Sequence, residues 1–301
     1  MRFALQLPTD KVQFGAEFGS AEGVMEMARS AESLGYDAVF VTEHPIPENS
    51  WFESGGHHAL DPFVALAFAA AATSRLRLLT NLCVVPYRNP FLTAKAVATL
   101  DSMSGGRLIL GAGAGYLEAE FKALEVDYSQ RNELFDQALV TMKQAWTGES
   151  VDVGGVGHHA LPRPVQSPHP PLWIGGNTRR AIRRCVDLAD GWMPIPNPSK
   201  FAARRHTPAL ESHDDLRARL DYLREYAAEQ GRPGPRDILF MPLGGGMYGS
   251  PEFDAQAQLE EIGRLGELGV TELGVGFPTE TRSDFLRFAE DYAGLVGARA
   301  G

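Results

Sequence analysis

Strand-like and helix-like segments alternate from one end of the chain to the other, and this alternation restricts the fold more than any other feature. Helices that separate successive strands require parallel pairing and right-handed crossovers. The sequence predicts eight strands, each followed by a helical pattern, at Arg2–Leu7, Ala38–Thr42, Leu76–Val85, Leu108–Gly111, Leu172–Gly175, Gly191–Pro194, Ile238–Leu243 and Glu272–Gly276. Eight such units in 301 residues favour an α/β fold of the TIM-barrel class, the (β/α)8 barrel. A doubly wound open sheet is the structural alternative.

Two segments exceed what a bare barrel needs. Residues 149–171, after the fourth strand–helix unit, are rich in Gly, Pro and His and predict an inserted hairpin and loop. Residues 195–213 predict a mobile loop that carries a basic cluster of Lys200, Arg204, Arg205 and His206. Loops of this length are uncommon unless they are functional or disordered. Because no linker-like composition divides the chain, residues 1–301 are interpreted as one barrel domain.

Composition excludes several classes of partner. The net charge is −10 and no long run of Lys or Arg is present, so no nucleic acid partner is expected. No stretch approaches ~18 uninterrupted apolar residues, so no membrane span is expected. The chain opens directly on a predicted strand, without room for a signal peptide, and its two cysteines suggest a reducing cytoplasm. Neither the cysteines nor the histidines show a metal-ligand spacing, so no metal site is expected.

The turn from Gly175 to Thr178 is the first candidate site, because barrel chemistry lies where strands end at the C-terminal face. Its glycines permit close approach of a ligand to the backbone, and the free N–H groups of the following helix attract anions. Arg179 and Arg180 are poorly placed in that positive first turn, and a bound phosphate would relieve them. An ordinary turn with solvated arginines is the alternative.

A second candidate is the Gly-rich stretch Leu110–Phe121. Its G-x-G-x-G spacing lacks the last glycine of the dinucleotide fingerprint and follows a fourth strand, which argues against a Rossmann site. A close approach of the backbone at Ala112 and Gly113 to a flat ligand is the preferred interpretation. Tyr116 is then positioned to donate a hydrogen bond or to stack.

The ends of the second and third strands supply further candidates. Asn81 and Cys83 interrupt a buried strand and are interpreted as a pocket wall, with a satisfied core amide as the alternative. Glu43 and His44 follow the second strand directly, and a histidine there is suited to acid–base chemistry or to cofactor contact. The loop after His44 is expected to roof the pocket with Trp51, Phe52, His57 and His58.

Longer stretches of the chain resemble the luciferase-like monooxygenase superfamily, specifically its coenzyme F420-dependent oxidoreductase branch. The resemblance covers most of residues 2–194, and its matching stretches are "LGYDAVFVTEH", "DPFVALAFAAAAT", "PYRNPFLTAKAVATLDSMSGGRLILGAGAGY", "RNELFDQALVTMKQAWTGE" and "PPLWIGGNTRRAIRRCVDLADGWMP". It implies a (β/α)8 barrel with an insertion after the fourth unit, a reduced flavin or deazaflavin across the C-terminal mouth, and a homodimer.

The resemblance also implies roles for individual residues. His44 contacts the ring, a non-proline cis peptide falls near Asn81, Leu82 and Cys83, and the phosphate cradle comprises Gly175, Gly176, Asn177 and Thr178. In one respect the chain departs from the pattern, because Tyr116 stands where some deazaflavin enzymes carry a proton-donating Glu after the fourth strand. Tyr116, His44 or Glu43 would then serve as the catalytic group.

The sequence therefore predicts an F420-dependent oxidoreductase that transfers hydride to or from a small organic molecule in the cytoplasm. A reduced-FMN monooxygenase of the same superfamily is the nearest alternative, since both cofactors need the same phosphate turn. A non-catalytic flavin-binding protein is a second alternative. A sugar-phosphate lyase or isomerase is a third, although no suitable Lys or carboxylate pair is evident at the strand ends.

Overall fold

The computed structural model describes residues 1–297 and contains a closed barrel of parallel strands. The strands are Arg2–Gln6, Ala38–Val41, Arg77–Thr80 with its continuation Cys83–Val84, Leu108–Gly113, Leu172–Gly175, Gly191–Met193, Asp237–Phe240 and Glu272–Val275. Closure comes from two pairings, of the first strand with the eighth and of the third with the fourth. The predicted (β/α)8 barrel is confirmed, and the open-sheet alternative is wrong. The predicted domain also includes residues 298–301, which lie outside the described residues.

Helices surround the barrel, and most begin at the residues that the sequence indicates. The main helices are Ala21–Ser33, Pro62–Ala72, Pro90–Ser104, Arg131–Trp146, Arg179–Leu188, His213–Glu229, Ala255–Leu268 and Arg282–Val296. Shorter helices are Ala16–Gly19, Asn49–Glu53, Glu118–Ala123 and Ser199–Ala202, and single 3-10 turns are Val12–Phe14, Val85–Tyr87 and Tyr128–Gln130. Four residues whose types mark helix starts in the sequence accept hydrogen bonds from the first turns of their helices, and these caps are Ser20, Asp61, Asn89 and Thr178.

Two apolar layers form the core, and strand alternation decides which layer a side chain joins. The barrel interior holds Ala4, Ala38, Phe40, Leu79, Ile109, Trp173, Met193 and Leu239. Val39 and Val41 of the second strand belong instead to the larger layer between strands and helices. Continued alternation beyond Val41 directs His44 towards the barrel axis and Glu43 away from it.

The third strand is not continuous, in contrast to the predicted Leu76–Val85. It ends at Thr80 and resumes at Cys83, and the peptide bond between Asn81 and Leu82 is cis, as the resemblance implies. Gly111 of the fourth strand makes this arrangement possible. A Cβ atom there would lie 1.9 Å from the Thr80 carbonyl oxygen, so only glycine permits the two strands to approach so closely.

The insertion lies at the opposite end of the barrel from the mouth. It comprises the antiparallel hairpin Val151–Val153 and Val156–His158 and an extended segment that reaches the fifth strand. Asp101, near the end of Pro90–Ser104, accepts hydrogen bonds from the N–H groups of Val165 and Gln166. Gln166 also donates to the carbonyl of Leu108, where the fourth strand begins. The insertion therefore borders the N-terminal rim and cannot roof the pocket.

Two features of the described residues bear on membranes and metals. Within residues 1–297, no helix is long and apolar enough to cross a membrane. The same residues contain no group of three or more His, Cys, Asp or Glu side chains arranged to hold a metal ion.

Candidate active site

His44 lies at the mouth of the barrel and is held by a buried carboxylate. Its Nδ1 is 3.2 Å from Oε2 of Glu120, which also accepts a hydrogen bond of 2.8 Å from the Tyr87 hydroxyl. The second oxygen of Glu120 accepts from the backbone N–H of Ile46 at 3.3 Å. A carboxylate acceptor favours the imidazole tautomer with its proton on Nδ1. Nε2 of His44 is then free to exchange a proton at the mouth.

Three aromatic side chains surround His44, and with it they form what we call the mouth cluster: His44, Trp51, His57 and Tyr116. Their ring centroids lie 5.2 Å, 4.9 Å and 6.1 Å from that of His44, in the order Trp51, His57 and Tyr116. The indole N–H of Trp51 donates to the carbonyl of His57 at 3.1 Å, which fixes the roof of the cluster. Burial lowers the pKa of His57, so this imidazole is neutral at pH 7. Of the four residues expected to roof the pocket, Trp51 and His57 lie against His44, whereas His58 is exposed and stacks on Phe52.

Tyr116 supplies the hydroxyl group of this cluster. Its Oη lies 3.5 Å from Nε2 of His44. Burial raises the pKa of Tyr116 to about 12, although the positive charge of Arg205 acts in the opposite direction. The phenol is therefore a stable proton-bearing group beside the one imidazole nitrogen that is free to exchange.

Glu43 is adjacent to His44 in sequence but lies on the other side of the strand. Its carboxylate forms an ion pair with Arg88 and accepts a 2.6 Å hydrogen bond from the backbone N–H of Val84. Burial raises the pKa of Glu43, while Arg88 opposes that shift. These contacts join the ends of the second and third strands, so the structure places Glu43 behind the mouth rather than in it.

Leu82 projects into the mouth and occupies space that two glycines leave free. A Cβ atom on Gly113 would lie 2.6 Å from Leu82 Cδ1, and one on Gly175 would lie 2.3 Å from Leu82 Cδ2. Leu82 therefore forms an apolar platform at the ends of the third, fourth and fifth strands. Gly113, predicted to lie directly against a flat ligand, faces this side chain instead.

Two of the other predicted contacts do not present their side chains to the mouth. Ala112 and Cys83 belong to the layer between strands and helices, because strand alternation turns them outward. Burial raises the pKa of the Cys83 thiol well above its usual range, so it is not a thiolate. Asn81 is half-buried, and its backbone N–H donates to the carbonyl of Val41 at 2.8 Å.

The turn after the fifth strand offers fewer free backbone donors than expected. Gly176 N–H donates to the carbonyl of Met193, and Asn177 N–H donates to the Thr207 hydroxyl at 3.2 Å. Thr178 caps the helix by accepting from Ala181 N–H at 3.0 Å. Within residues 1–297 the N–H groups of Thr178, Arg179 and Arg180 have no acceptor, as is usual at a helix start. The N–H groups that remain free at this turn therefore belong to residues 178–180 rather than to Gly176 and Asn177.

The arginines that open this helix have partners in the protein, contrary to the expectation that they need a bound anion. Arg180 forms ion pairs with Glu133 and Asp136 at 3.0 Å and 2.8 Å. The guanidinium of Arg179 lies 5.0 Å from the ring centroid of Tyr222. These carboxylates belong to the preceding barrel helix, Arg131–Trp146. The ion pairs therefore join parts of the chain that are far apart in sequence. The arginines are thus no evidence for a phosphate.

Residues 195–210 cross the mouth and will be called the roof loop. Asn177 fastens it, since its side chain donates to the carbonyls of Ile195 and Pro208 at 2.8 Å and 3.2 Å and accepts from Ile195 N–H at 3.0 Å. At the other side of the mouth, Arg204 stacks on Trp51 with 4.6 Å between the guanidinium carbon and the ring centroid. The roof loop thus connects the fifth-strand turn with the mouth cluster.

Sequence reasoning missed Glu120, which is the carboxylate that holds His44. Glu120 is fully buried, and it stands four residues after Tyr116 in the same Gly-rich stretch. A carboxylate in the first turn of Glu118–Ala123, just beyond a strand end, was the available signal. Although Tyr116 stands where some deazaflavin enzymes carry a Glu, the mouth therefore still contains a carboxylate, that of Glu120.

Comparisons with known proteins agree with this architecture. Residues 1–267 match the family model described as luciferase-like monooxygenase. An uncharacterized protein of Mycobacterium tuberculosis is 29% identical over 286 residues, which cover 88% of this chain and 91% of that protein. The monooxygenase RslO1 from Streptomyces bottropensis superimposes with a TM-score of 0.76 at 22% identity, covering 98% of each chain. An F420-dependent secondary alcohol dehydrogenase in complex with an F420–acetone adduct gives 0.70 at 16% identity, again covering 98% of each.

Proposed function

Because the chain belongs to the luciferase-like monooxygenase family, we propose that it is an oxidoreductase that uses coenzyme F420 to reduce or oxidise a small organic substrate. The observation that carries the proposal is the arrangement of His44 at the mouth. Its Nδ1 is bonded to a buried carboxylate, and its Nε2 faces the Tyr116 hydroxyl. A poised imidazole of this kind suits proton transfer coupled to hydride transfer.

The residues present fit a flat ring with an anionic tail. The N–H groups of Thr178, Arg179 and Arg180 would hold a phosphate group at the positive end of Arg179–Leu188. Leu82 would support one face of the ring, since Gly113 and Gly175 keep its side chain in the mouth. His44 would contact the ring edge.

The chain's own contribution to the chemistry is positioning and proton transfer. A bound 5-deazaflavin supplies a two-electron hydride donor or acceptor. His44 Nε2 would take the proton of a substrate hydroxyl during oxidation, or return it to a carbonyl oxygen during reduction. Glu120 would stabilise the resulting imidazolium through Nδ1, and Tyr116 would hydrogen-bond the substrate oxygen. Trp51 and the roof loop would exclude water.

Titration of the purified protein with each cofactor tests the cofactor assignment. We expect F420 fluorescence to report saturable, tight binding, and reduced or oxidised FMN to bind at least tenfold more weakly. Tight FMN binding without a response to F420 would instead favour a reduced-FMN monooxygenase. Tight F420 binding without turnover over a broad set of alcohols and carbonyl compounds would favour the non-catalytic alternative.

Replacing Tyr116 by Phe tests the role of its hydroxyl. Because burial raises the pKa of Tyr116 to about 12, the phenol stays protonated at all pH values below that value. We expect Y116F to lower kcat/KM by about tenfold at every pH from about 6 to about 10, without changing the shape of the profile. Loss of an alkaline limb in Y116F would contradict this, since it would mean that Tyr116 titrates within the range. His58→Phe, on the exposed side of the same mouth, serves as a control.

We also propose that the chain forms a homodimer through an exposed apolar face. Val64 and Phe68 of Pro62–Ala72 are 59% and 41% exposed, and Leu92 of the adjacent Pro90–Ser104 is 69% exposed. Leu92→Glu is expected to convert a dimer into a monomer in size-exclusion chromatography with light scattering, because a charge in an apolar interface is costly. Val156→Glu, on the equally exposed hairpin, should leave the mass unchanged. A monomeric wild-type protein would contradict the proposal.

A further inference from the structure

Arg204 of the roof loop lies directly over the mouth cluster. Its guanidinium carbon is 4.6 Å from the ring centroid of Trp51. The Trp51 ring lies 5.2 Å from His44 and 5.8 Å from Tyr116, centroid to centroid. Arg205 follows it in sequence and donates to the side-chain oxygen of Asn197 at 3.3 Å. Both positive charges are therefore held near the imidazole and the phenol, on half-buried side chains.

Neither of these two arginines has a carboxylate partner among residues 1–297, and their contacts are with aromatic rings and with Asn197. Arg88 pairs with Glu43, and Arg180 and Arg184 pair with Asp136. In a chain with a net charge of −10, two guanidinium groups without an acidic partner therefore lie beside the mouth cluster. Both arginines also lower the pKa of Tyr116, which shows that their positive potential reaches its hydroxyl.

We infer that Arg204, assisted by Arg205, binds an anionic group of the substrate, so that the mouth cluster selects small organic acids. A guanidinium recognises a carboxylate through two parallel charge-assisted hydrogen bonds. Stacking on Trp51 limits the conformations of Arg204 and so reduces the entropy that binding costs. The inference names a substrate class for the proposed oxidoreductase and therefore rests on that function.

The anionic tail of the cofactor is the other possible source of the negative charge. The free N–H groups of residues 178–180 would hold an anion at the turn after the fifth strand. Arg204 instead contacts Trp51, which belongs to the loop after the second strand. The contact of Arg204 with the mouth cluster thus favours the substrate, rather than the cofactor tail, as the partner of Arg204. The experiment below separates these two possibilities.

Binding of carboxylates and of their matched amides to the F420-loaded protein tests the inference. Benzoate, hexanoate and cyclohexanecarboxylate would each be compared with the corresponding amide by isothermal titration calorimetry. We expect the acids to bind at least tenfold more tightly than the amides. Arg204→Gln should weaken binding of the acids by about 10- to 30-fold, the usual effect of losing a charge-assisted hydrogen bond, and should change amide binding less than twofold.

Two controls define the interpretation. Lys200→Gln removes an exposed positive charge from the same loop and should leave the preference for acids intact. Arg204→Lys should retain part of that preference. A wild-type protein that binds acids and amides equally overturns the inference. So does an R204Q protein that keeps the preference but loses more than tenfold in F420 affinity, because the arginine then serves the cofactor tail. If the unloaded protein prefers acids but fails to bind F420, the inference is supported and the proposed cofactor is rejected.

Discussion

His44→Ala is expected to lower kcat by about 10²- to 10⁴-fold, the usual contribution of a positioned general acid or base. The variant removes the imidazole whose Nε2 faces Tyr116 and whose Nδ1 is held by Glu120. Affinity for F420 should fall by less than about tenfold, since the phosphate donors and the Leu82 platform remain. Steady-state kinetics with F420 absorbance as the signal, together with a fluorescence titration, separate these two effects.

Matched variants make this result specific to the imidazole of His44. His58→Ala removes an exposed histidine of the same loop, stacked on Phe52, and should leave kcat within about twofold. Glu120→Gln keeps the shape of the side chain but removes the negative charge beside Nδ1, and we expect kcat to fall by about tenfold. An H44A protein with more than half of the wild-type kcat would eliminate His44 as the proton-transfer group.

Arg179→Pro is expected to weaken F420 binding by about 10- to 100-fold, because proline removes one backbone donor from the phosphate site. Arg179 is the first residue of its helix, a position where proline is well tolerated, and the preceding Thr178 already has the extended conformation that proline requires. The helix should therefore persist while the N–H group is lost. Fluorescence titration with F420 measures the change in Kd.

Two further variants isolate the backbone donor from the other effects of R179P. Arg179→Ala removes the side chain and its contact with Tyr222 but keeps the N–H group, so F420 affinity should change less than threefold. Ala21→Pro places proline at the same first position of another helix, after the Ser20 cap, and should leave both stability and F420 binding unchanged. Equal affinity in R179P and R179A would show that the phosphate binds elsewhere.

Patterns among neighbouring residues predicted the barrel fold of this protein well. The alternation of strands and helices indicated a barrel, and Asp61-Pro62 and Asn89-Pro90 marked helix starts that the structure confirms. Such signals depend only on neighbouring residues, so a single sequence contains them. The break in the third strand was harder to place without the resemblance, because apolar residues continue on both sides of Thr80 and Asn81 and no glycine or proline occurs in residues 76–85.

Contacts between distant residues account for what was missed at the site. Glu120 meets His44 across 76 positions of sequence, and Arg180 meets Asp136 across 44, and no local pattern reports such pairs. The outward direction of Glu43 was available from strand alternation, since Val39 and Val41 share its side of the strand. The position of the insertion also follows from topology, because residues between a helix and the next strand return to the N-terminal rim.

Asn177 couples the turn after the fifth strand to the roof loop. Its amide group is shared between the turn after the fifth strand and both ends of the roof loop, so neither can change shape alone. Binding of an ion at residues 178–180 would order this turn and, through Asn177, the roof loop, so the two equilibria would be thermodynamically linked. The linkage is reciprocal, so a reactant that Arg204 helps to bind would strengthen the binding of the ion by the same factor.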